Sequence, residues 1–267
     1  MTAPDTTLQA PVSQPDLPPN LIAMMQKRGL TALTLTVIDA AQVTPRMRRV
    51  RLDAGSPDGF APLPGQDMVM MLPDGEGGLG RRHYTIRRFD PAESRIDVDI
   101  VLHGDSTPGT RWALGAKAGD EVLAFGPRGR NVIHPGADWR LFVGDETCIP
   151  PIFGMLEALP AGETAHAIIE VAADEDRQDL VSAADVTIDW ISRGGAHAQP
   201  SSPALIERLA AWPLPAGHGH AYVLGETSTI RRQRHDLIAR GLGKDQIFGE
   251  GYWRPGRVGG HDHLVEH

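Results

Sequence analysis

The feature that most constrains the fold is a change of rhythm near Gly136. From Thr31 to about Pro127 apolar residues recur at every second position: Leu33, Leu35 and Val37; Val50 and Leu52; Met68 to Leu72; Tyr84 and Ile86; Ile96, Val98, Ile100 and Leu102; Val122 and Leu123. Successive side chains of a strand point to opposite faces, so this spacing describes six short strands, and with Gly and Pro between them it predicts a small antiparallel barrel. Beyond Gly136 buried strands at Leu141 to Val143, Ala167 to Val171, Val186 to Ile191, Tyr222 to Leu224 and Gln246 to Trp253 are interspersed with helical patterns. These helices are expected at Pro150 to Leu159, Ala204 to Trp212 and Ser228 to Arg240, the last capped by Ser228 and stopped by Gly241. That order predicts a parallel sheet with right-handed crossovers, which binds ligands outside the C-terminal ends of its strands. A chain of 267 residues accommodates both units. The expected division is an N-terminal extension over 1–30, with a short helix from Asn20 to Gly29, a barrel over 31–136, and an α/β domain over 137–267.

Charge narrows the partners. With 26 Lys and Arg against 34 Asp and Glu the formal charge is −8, which opposes general affinity for nucleic acid or acidic membranes, so an anionic ligand needs a local basic patch. Met1 to Pro19 is polar and rich in Pro and Thr, with neither a basic start nor an apolar core, and no run approaches transmembrane length. A cytoplasmic protein without stable membrane association is expected. Cys148 is the one cysteine, which excludes an internal disulfide and a cluster held by four thiolates. A helix start at Cys148 would favour its thiolate, whereas burial would leave it inert. His261, His263 and His267 have ligand chemistry but no framework to fix them, so no metal site is expected.

Gly75 to Gly80 spells G-x-G-x-x-G, yet residues 81–89 alternate like a strand, so these glycines predict a hairpin loop rather than a phosphate cradle. In that strand Arg82 and Tyr84 share one face and Thr85 takes the other. An aromatic ring beside a fixed cation suits a flavin, with Arg binding diphosphate through its planar fork; an exposed basic strand with one half-buried Tyr reads equally well from these residues alone. His103 to Ala113 comes after a clean strand, where backbone amides and the Thr110 hydroxyl could cradle phosphates at a short helix start; a plain chain reversal is the alternative. In the second unit Gly144-Asp145-Glu146-Thr147 ends a strand and leads into a helix, and Gly225-Glu226-Thr227 repeats the arrangement. Gly144 is expected to let the backbone approach a ligand, Thr147 to hydrogen-bond it, and Glu146 and Glu226 to lie near nicotinamide. Ser192 and Arg193 end the third strand, where a hydroxyl and a cation suit the 2′-phosphate of NADP, so NADPH is expected ahead of NADH.

Taken together, Arg82-His-Tyr-Thr-Ile-Arg87, His103 to Ala113, Gly126-Pro-Arg-Gly129, Gly144-Asp-Glu-Thr147 with Pro150, Gly225-Glu-Thr227 and Gly251-Tyr-Trp-Arg254 resemble the siderophore-interacting protein family of ferric-siderophore reductases, in order and spacing from about Thr31 to Arg257. The resemblance implies a ferredoxin-reductase-like pairing of an FAD-binding barrel with a nicotinamide-binding domain, and reduction of Fe(III) held by a siderophore. It assigns Arg82, Tyr84, Thr85, His103, Pro108 and Thr110 to FAD, Gly144, Asp145, Glu146, Thr147, Gly225 and Glu226 to the nicotinamide side, and Tyr252, Trp253 and Arg254 to a segment near the flavin. Ser106 and Thr107 depart from it, standing where the family often has glycines. Such chemistry requires no protein acid, base or nucleophile, so no catalytic side chain is expected. An anionic ferric chelate would instead meet a basic face drawn from Arg81, Arg128, Arg130, Arg254 and Arg257. The rival readings are a flavin reductase serving a protein partner, with ferredoxin as another electron donor, and a non-catalytic siderophore-binding protein.

Overall fold

The computed structural model describes residues 23–25, 27–55, 57–75, 77–103, 107–256 and 262–263. Of the helix expected from Asn20 to Gly29, residues 23–25 and 27 are helical and the other positions up to 26 lie outside the described residues. Met25 from this turn is buried against Val69, Met71 and Phe125, which alternate with the residues that face the barrel interior.

Seven antiparallel strands, one more than expected, form the first sheet: β1 (Thr31–Thr44), β2 (Met47–Asp53), β3 (Asp67–Pro73), β4 (Leu79–Thr85), β5 (Arg88–Asp90), β6 (Arg95–Val101) and β7 (Glu121–Arg128). Their order is β4-β3-β7-β1-β2-β6-β5, so the two edge strands are consecutive in the chain. Two neighbouring residues make the closure. Ile86 N–H donates to Gln66 O at 2.9 Å on the β3 side, and Arg87 N–H to Asp97 O at 2.9 Å on the β6 side. The sheet thus curls around Leu35, Leu52, Met68, Met70, Leu72, Ile96 and Val98, all fully buried, with helix α1 (Pro108–Gly115) adding Ala113 to that core.

The second sheet runs β10-β9-β8-β11-β12-β13. Its parallel members are β8 (Trp139–Asp145), β9 (Thr164–Val171), β10 (Asp185–Ser192), β11 (Gly219–Glu226) and β12 (Ile247–Trp253), and the two-residue β13 (Asp262–His263) pairs antiparallel with β12. Helix α2 (Ile149–Glu157) covers one face, packing Ile152, Phe153 and Leu156 on Phe142, Ile169 and Tyr222. Helices α3 (Pro203–Ala211) and α4 (Thr227–Ala239) cover the other, over Leu141, Val143, Ile168 and Val223. The chain leaves β8 for β9 on one side and β11 lies on its other side, so strand order reverses between β8 and β11. A crevice at their C-terminal ends results from that reversal.

Charged residues staple the two units. Arg87, which is buried, forms a two-pronged ion pair with Glu157 of α2 at 2.7 and 2.5 Å, and Arg46 pairs with Asp176 at 2.8 Å. Asn131, between the units, hydrogen-bonds Glu250 of β12.

Candidate functional site

Gly75, Gly77 and Gly78 lie in the hairpin between β3 and β4, as their context predicts, and Gly80, within β4, pairs with Leu72 of β3: Asp74 N–H donates to Gly78 O at 3.0 Å, and the Asp74 carboxylate accepts from Gly78 N–H at 2.9 Å. Strand β4 then presents Arg82 and Tyr84 half-buried and Thr85 buried. Arg82 donates to the Arg81 carbonyl at 2.8 Å and forms no ion pair among the described residues. The Tyr84 hydroxyl lies against Gly109 of α1, where an added Cβ would come within 2.0 Å of it. Burial pushes this phenol up to about 12, against the pull of the Arg82 charge. Helix α1 starts where sequence chemistry says it should, with Pro108 at the first turn and Thr107 as cap, its hydroxyl accepting from Thr110 N–H at 3.2 Å. The buried Thr110 hydroxyl in turn accepts from Thr107 Oγ1 at 2.9 Å and from His103 N–H at 3.1 Å. Thr110 therefore shapes the loop from its inner side. Residues 104–106, including Ser106, lie outside the described residues.

At the end of β8 the buried Asp145 is the organising group. One oxygen accepts from Thr147 N–H at 2.9 Å and Thr147 Oγ1 at 2.5 Å, and the other from Trp253 Nε1 at 2.8 Å. Burial, then the neighbouring Glu146 charge, raise its pKa to about 6, with the hydrogen bonds pulling the other way. Gly144 serves packing: a Cβ there would meet Cys148 Cβ at 2.8 Å and Ile152 Cδ1 at 3.2 Å, so the chain's own atoms fill the space expected for a ligand. Gly225, at φ +121°, lets Asp145 approach, since a Cβ would stand 2.7 Å from its Oδ2. Cys148 is fully buried, and that burial followed by the Asp145 charge holds its thiol well above the ordinary value, which leaves it inert.

Glu146 and Arg193 meet head on, with Nη1–Oε2 2.8 Å and Nη2–Oε1 2.5 Å; Arg193 Nη1 also reaches Glu170 at 3.2 Å, and Nε donates to Ala196 O at 3.1 Å. The cation expected to stand open at the end of β10 is thus held between carboxylates of β9 and of the turn after β8, while the Ser192 hydroxyl accepts from Gly194 N–H. Glu226, rather than Ser228, caps α4. Its carboxylate accepts from Ser228 N–H (2.9 Å), Thr229 N–H (2.8 Å), both of their hydroxyls and Ser201 N–H (3.0 Å), because a full charge at the positive end of a helix outcompetes a neutral hydroxyl. Burial is the largest single influence on its pKa and acts upward, yet these bonds together carry it below the ordinary value.

Between the two units lies a cleft of about 260 Å³ lined by His103, Asp145, Glu146, Thr147, His197, Ala198 and Trp253. It joins the loop after β6 to the reversal point of the parallel sheet. The pKa of His103 is lowered, chiefly by burial, with Glu146 opposing and Arg193 assisting. His197 carries no motif and escaped the sequence analysis. Tyr252 turns away from this cleft into the packing beside α2, its pKa raised chiefly by burial. Among the arginines expected on a basic face, Arg81, Arg130 and Arg254 are exposed, whereas Arg128 is held by Asp67 at 3.2 Å and His83 at 2.8 Å; Arg257 lies outside the described residues, as do His261 and His267. Among the described residues no cluster of three His, Cys, Asp or Glu could hold a metal ion, and no helix is long and apolar enough to cross a membrane.

Comparison with known proteins bears on both units. A family model described as siderophore-interacting protein matches residues 137–256, and one described as siderophore-interacting FAD-binding domain matches residues 66–131. A siderophore utilization protein from T. fusca is 31% identical, with a TM-score of 0.78 over 88% of this chain and 97% of its own. Ferric vibriobactin reductase ViuB of Vibrio cholerae is 32% identical over 179 residues, 66% of this chain and 65% of the relative. A ferredoxin-NADP+ reductase from Plasmodium falciparum, 13% identical, superposes with a TM-score of 0.61 over 83% of this chain and 96% of its own, a likeness of fold alone.

Proposed function

Because the chain belongs to the siderophore-interacting protein family, we propose that it is an FAD-dependent oxidoreductase that carries electrons from a reduced nicotinamide to ferric iron held by a siderophore. The observation that carries this reading is the cleft that brings His103 of the first unit against Asp145, Thr147 and Trp253 of the second. The residues present fit FAD: among the described residues Arg82 stands without a carboxylate beside the half-buried Tyr84, whose hydroxyl packs against Gly109 where any Cβ would displace it. When bound, FAD supplies the conversion of a two-electron hydride into single electrons. Per turnover one donor is oxidised, two ferric ions are each reduced by one electron, and one proton is released.

In this reading Tyr84 and Arg82 hold the cofactor on the barrel, and the Asp145 hydrogen bond fixes the Trp253 indole at the wall where the donor enters. The exposed Arg81, Arg130 and Arg254 supply the positive charge that draws an anionic chelate to a chain of net charge −8. Hard oxygen ligands that bind Fe(III) tightly hold Fe(II) less well, so reduction releases the metal, and the reaction belongs in the cytoplasm, where reduced nicotinamide is supplied. The name of the 32%-identical ferric vibriobactin reductase supports this acceptor.

The test is anaerobic mixing of FAD-loaded protein with NADH or NADPH, then with a ferric catecholate, following flavin absorbance and Fe(II) capture by a chelating dye. Bleaching followed by recovery as Fe(II) appears is expected. Bleaching without recovery on any ferric chelate would move the acceptor to a protein partner and refute the siderophore reading.

A further inference from the structure

The places at which a parallel sheet of this order ordinarily holds the phosphates of a dinucleotide are already filled by the chain itself. Three are involved: the helix N-termini flanking the reversal point, and the end of the third strand. The first helix, α2, opens Ile149-Pro150-Pro151, so two of its first three positions have no N–H to offer, and its cap residue Cys148 makes no side-chain bond there. Immediately before it stand Asp145 and Glu146. The second, α4, has its leading amides taken by Glu226 at 2.9 and 2.8 Å, an internal anion seated where an external one would bind. At the third, Nε, Nη1 and Nη2 of Arg193 all donate within the chain. The network is continuous, since Glu170 accepts from Ser202 Oγ at 2.8 Å and Ser202 N–H donates to Thr229 Oγ1 at 3.0 Å beside Glu226. It sets three carboxylates, Glu146, Glu170 and Glu226, against a single guanidinium. A phosphate arriving there meets net negative charge, with the Arg193 guanidinium and the leading amides of α4 already engaged.

We infer that this chain recognises its electron donor by the nicotinamide–ribose end alone, and that the Glu226 cap and the Glu146–Arg193–Glu170 clamp remove discrimination by the diphosphate and by the adenosine 2′-phosphate. The inference rests on the reading of the cleft as the donor site. The size of that cleft agrees: at about 260 Å³ it falls below the ordinary range of ligand sites, about 300–1,000 Å³, and suits one ring and a sugar better than a whole dinucleotide. NADH and NADPH are then equivalent donors, and the truncated reduced nicotinamide riboside, which bears no phosphate, works nearly as well as either.

The experiment uses FAD-loaded full-length protein. Flavin bleaching is followed anaerobically with NADH, NADPH and reduced nicotinamide riboside, and binding of ADP and of 2′-phospho-AMP is measured by calorimetry. Second-order rate constants within about tenfold of one another, with no heat from either adenylate below millimolar concentration, are expected. An advantage of a hundredfold or more for NADH or NADPH over the riboside, or micromolar binding of 2′-phospho-AMP, overturns the inference while leaving the donor reading intact. Failure of all three donors to bleach the flavin sinks the donor reading and this inference with it. Glu146→Gln supplies the gain-of-function arm: with one clamp carboxylate neutralised, Arg193 becomes available and the NADPH-to-NADH rate ratio rises severalfold. An unchanged ratio would show that the clamp does not set donor choice.

Discussion

Replacing Asp145 by asparagine should invert one part of the protein's response to acid. In the folded chain this carboxyl titrates at about 6 against an ordinary 3.8. Above pH 6 it is ionised in both folded and unfolded states, so folding bears the whole penalty of burying the charge, about 3 kcal/mol for a rise of that size. As pH falls through the folded value, the native state keeps a proton that the unfolded chain sheds, and the penalty shrinks to about 1 kcal/mol near pH 4.5. Stability from this group therefore rises on acidification, the reverse of an ordinary salt-bridged carboxylate. Asparagine carries no charge, but its single carbonyl oxygen cannot accept from both Thr147 and Trp253, so one donor faces an amide N–H at a pH-independent loss of about 1–3 kcal/mol. The variant should match or exceed the wild type by up to about 2 kcal/mol at pH 7, and fall level with it or below by about as much at pH 4.5. Urea unfolding followed by tryptophan emission at the two pH values reads the difference directly. A gap between variant and wild type that stays constant within about 0.5 kcal/mol over that range would refute the assignment, because the expected change is about 2 kcal/mol.

Gly109→Ala should weaken FAD binding about tenfold, since the new methyl displaces a Tyr84 ring whose aromatic contact is worth about 1 kcal/mol, while the apoprotein keeps its thermal stability because Ala suits a helix better than Gly. An unchanged dissociation constant in a fluorescence titration would take Tyr84 away from the flavin. Burial, then the His218 charge, lower the pKa of His220, so its contribution to stability is complete above the ordinary 6.5 and is lost as pH falls below it; His220→Phe should flatten that part of the acid denaturation profile. Glu157→Met should cost up to about 3 kcal/mol by leaving the buried Arg87 without its two-pronged partner, and Glu157→Met with Arg87→Met should recover part of it; equal losses in the single and double variants would mean that the ion pair does not join the two units.

The rhythm of apolar residues made both sheets legible, because one buried face per strand and one per helix is what alternation records. It passed over β5, whose three residues are too few to show a period, and whose existence depends on pairing with Arg95, Ile96 and Asp97. The hairpin glycines and the Thr107–Pro108 helix start were within reach, since their chemistry is local. The partners of Arg193 were not. Glu146 lies 47 residues away and Glu170 lies 23 away, and only the adjacency of β8, β9 and β10 brings all three together. The bond from Trp253 to Asp145 spans 108 residues and depends on the same lateral order. Glu226 displaced Ser228 as the helix cap because Ser201, from a distant loop, completes its ring of donors.

The seam of the barrel has a consequence for the empty protein. Strand β5 holds β6 through just Arg88 to Asp90, so this is the shortest lap in the hoop. The chain on one side of it carries Arg82, Tyr84 and Thr85, and the chain on the other runs from β6 into His103 and Thr110. On the proposed reading, FAD seated on both sets of residues crosses the lap like a rivet. The empty hoop is then expected to open there first, exposing Ile86 and Ile96, so that one molecule would serve as reagent and as fastener.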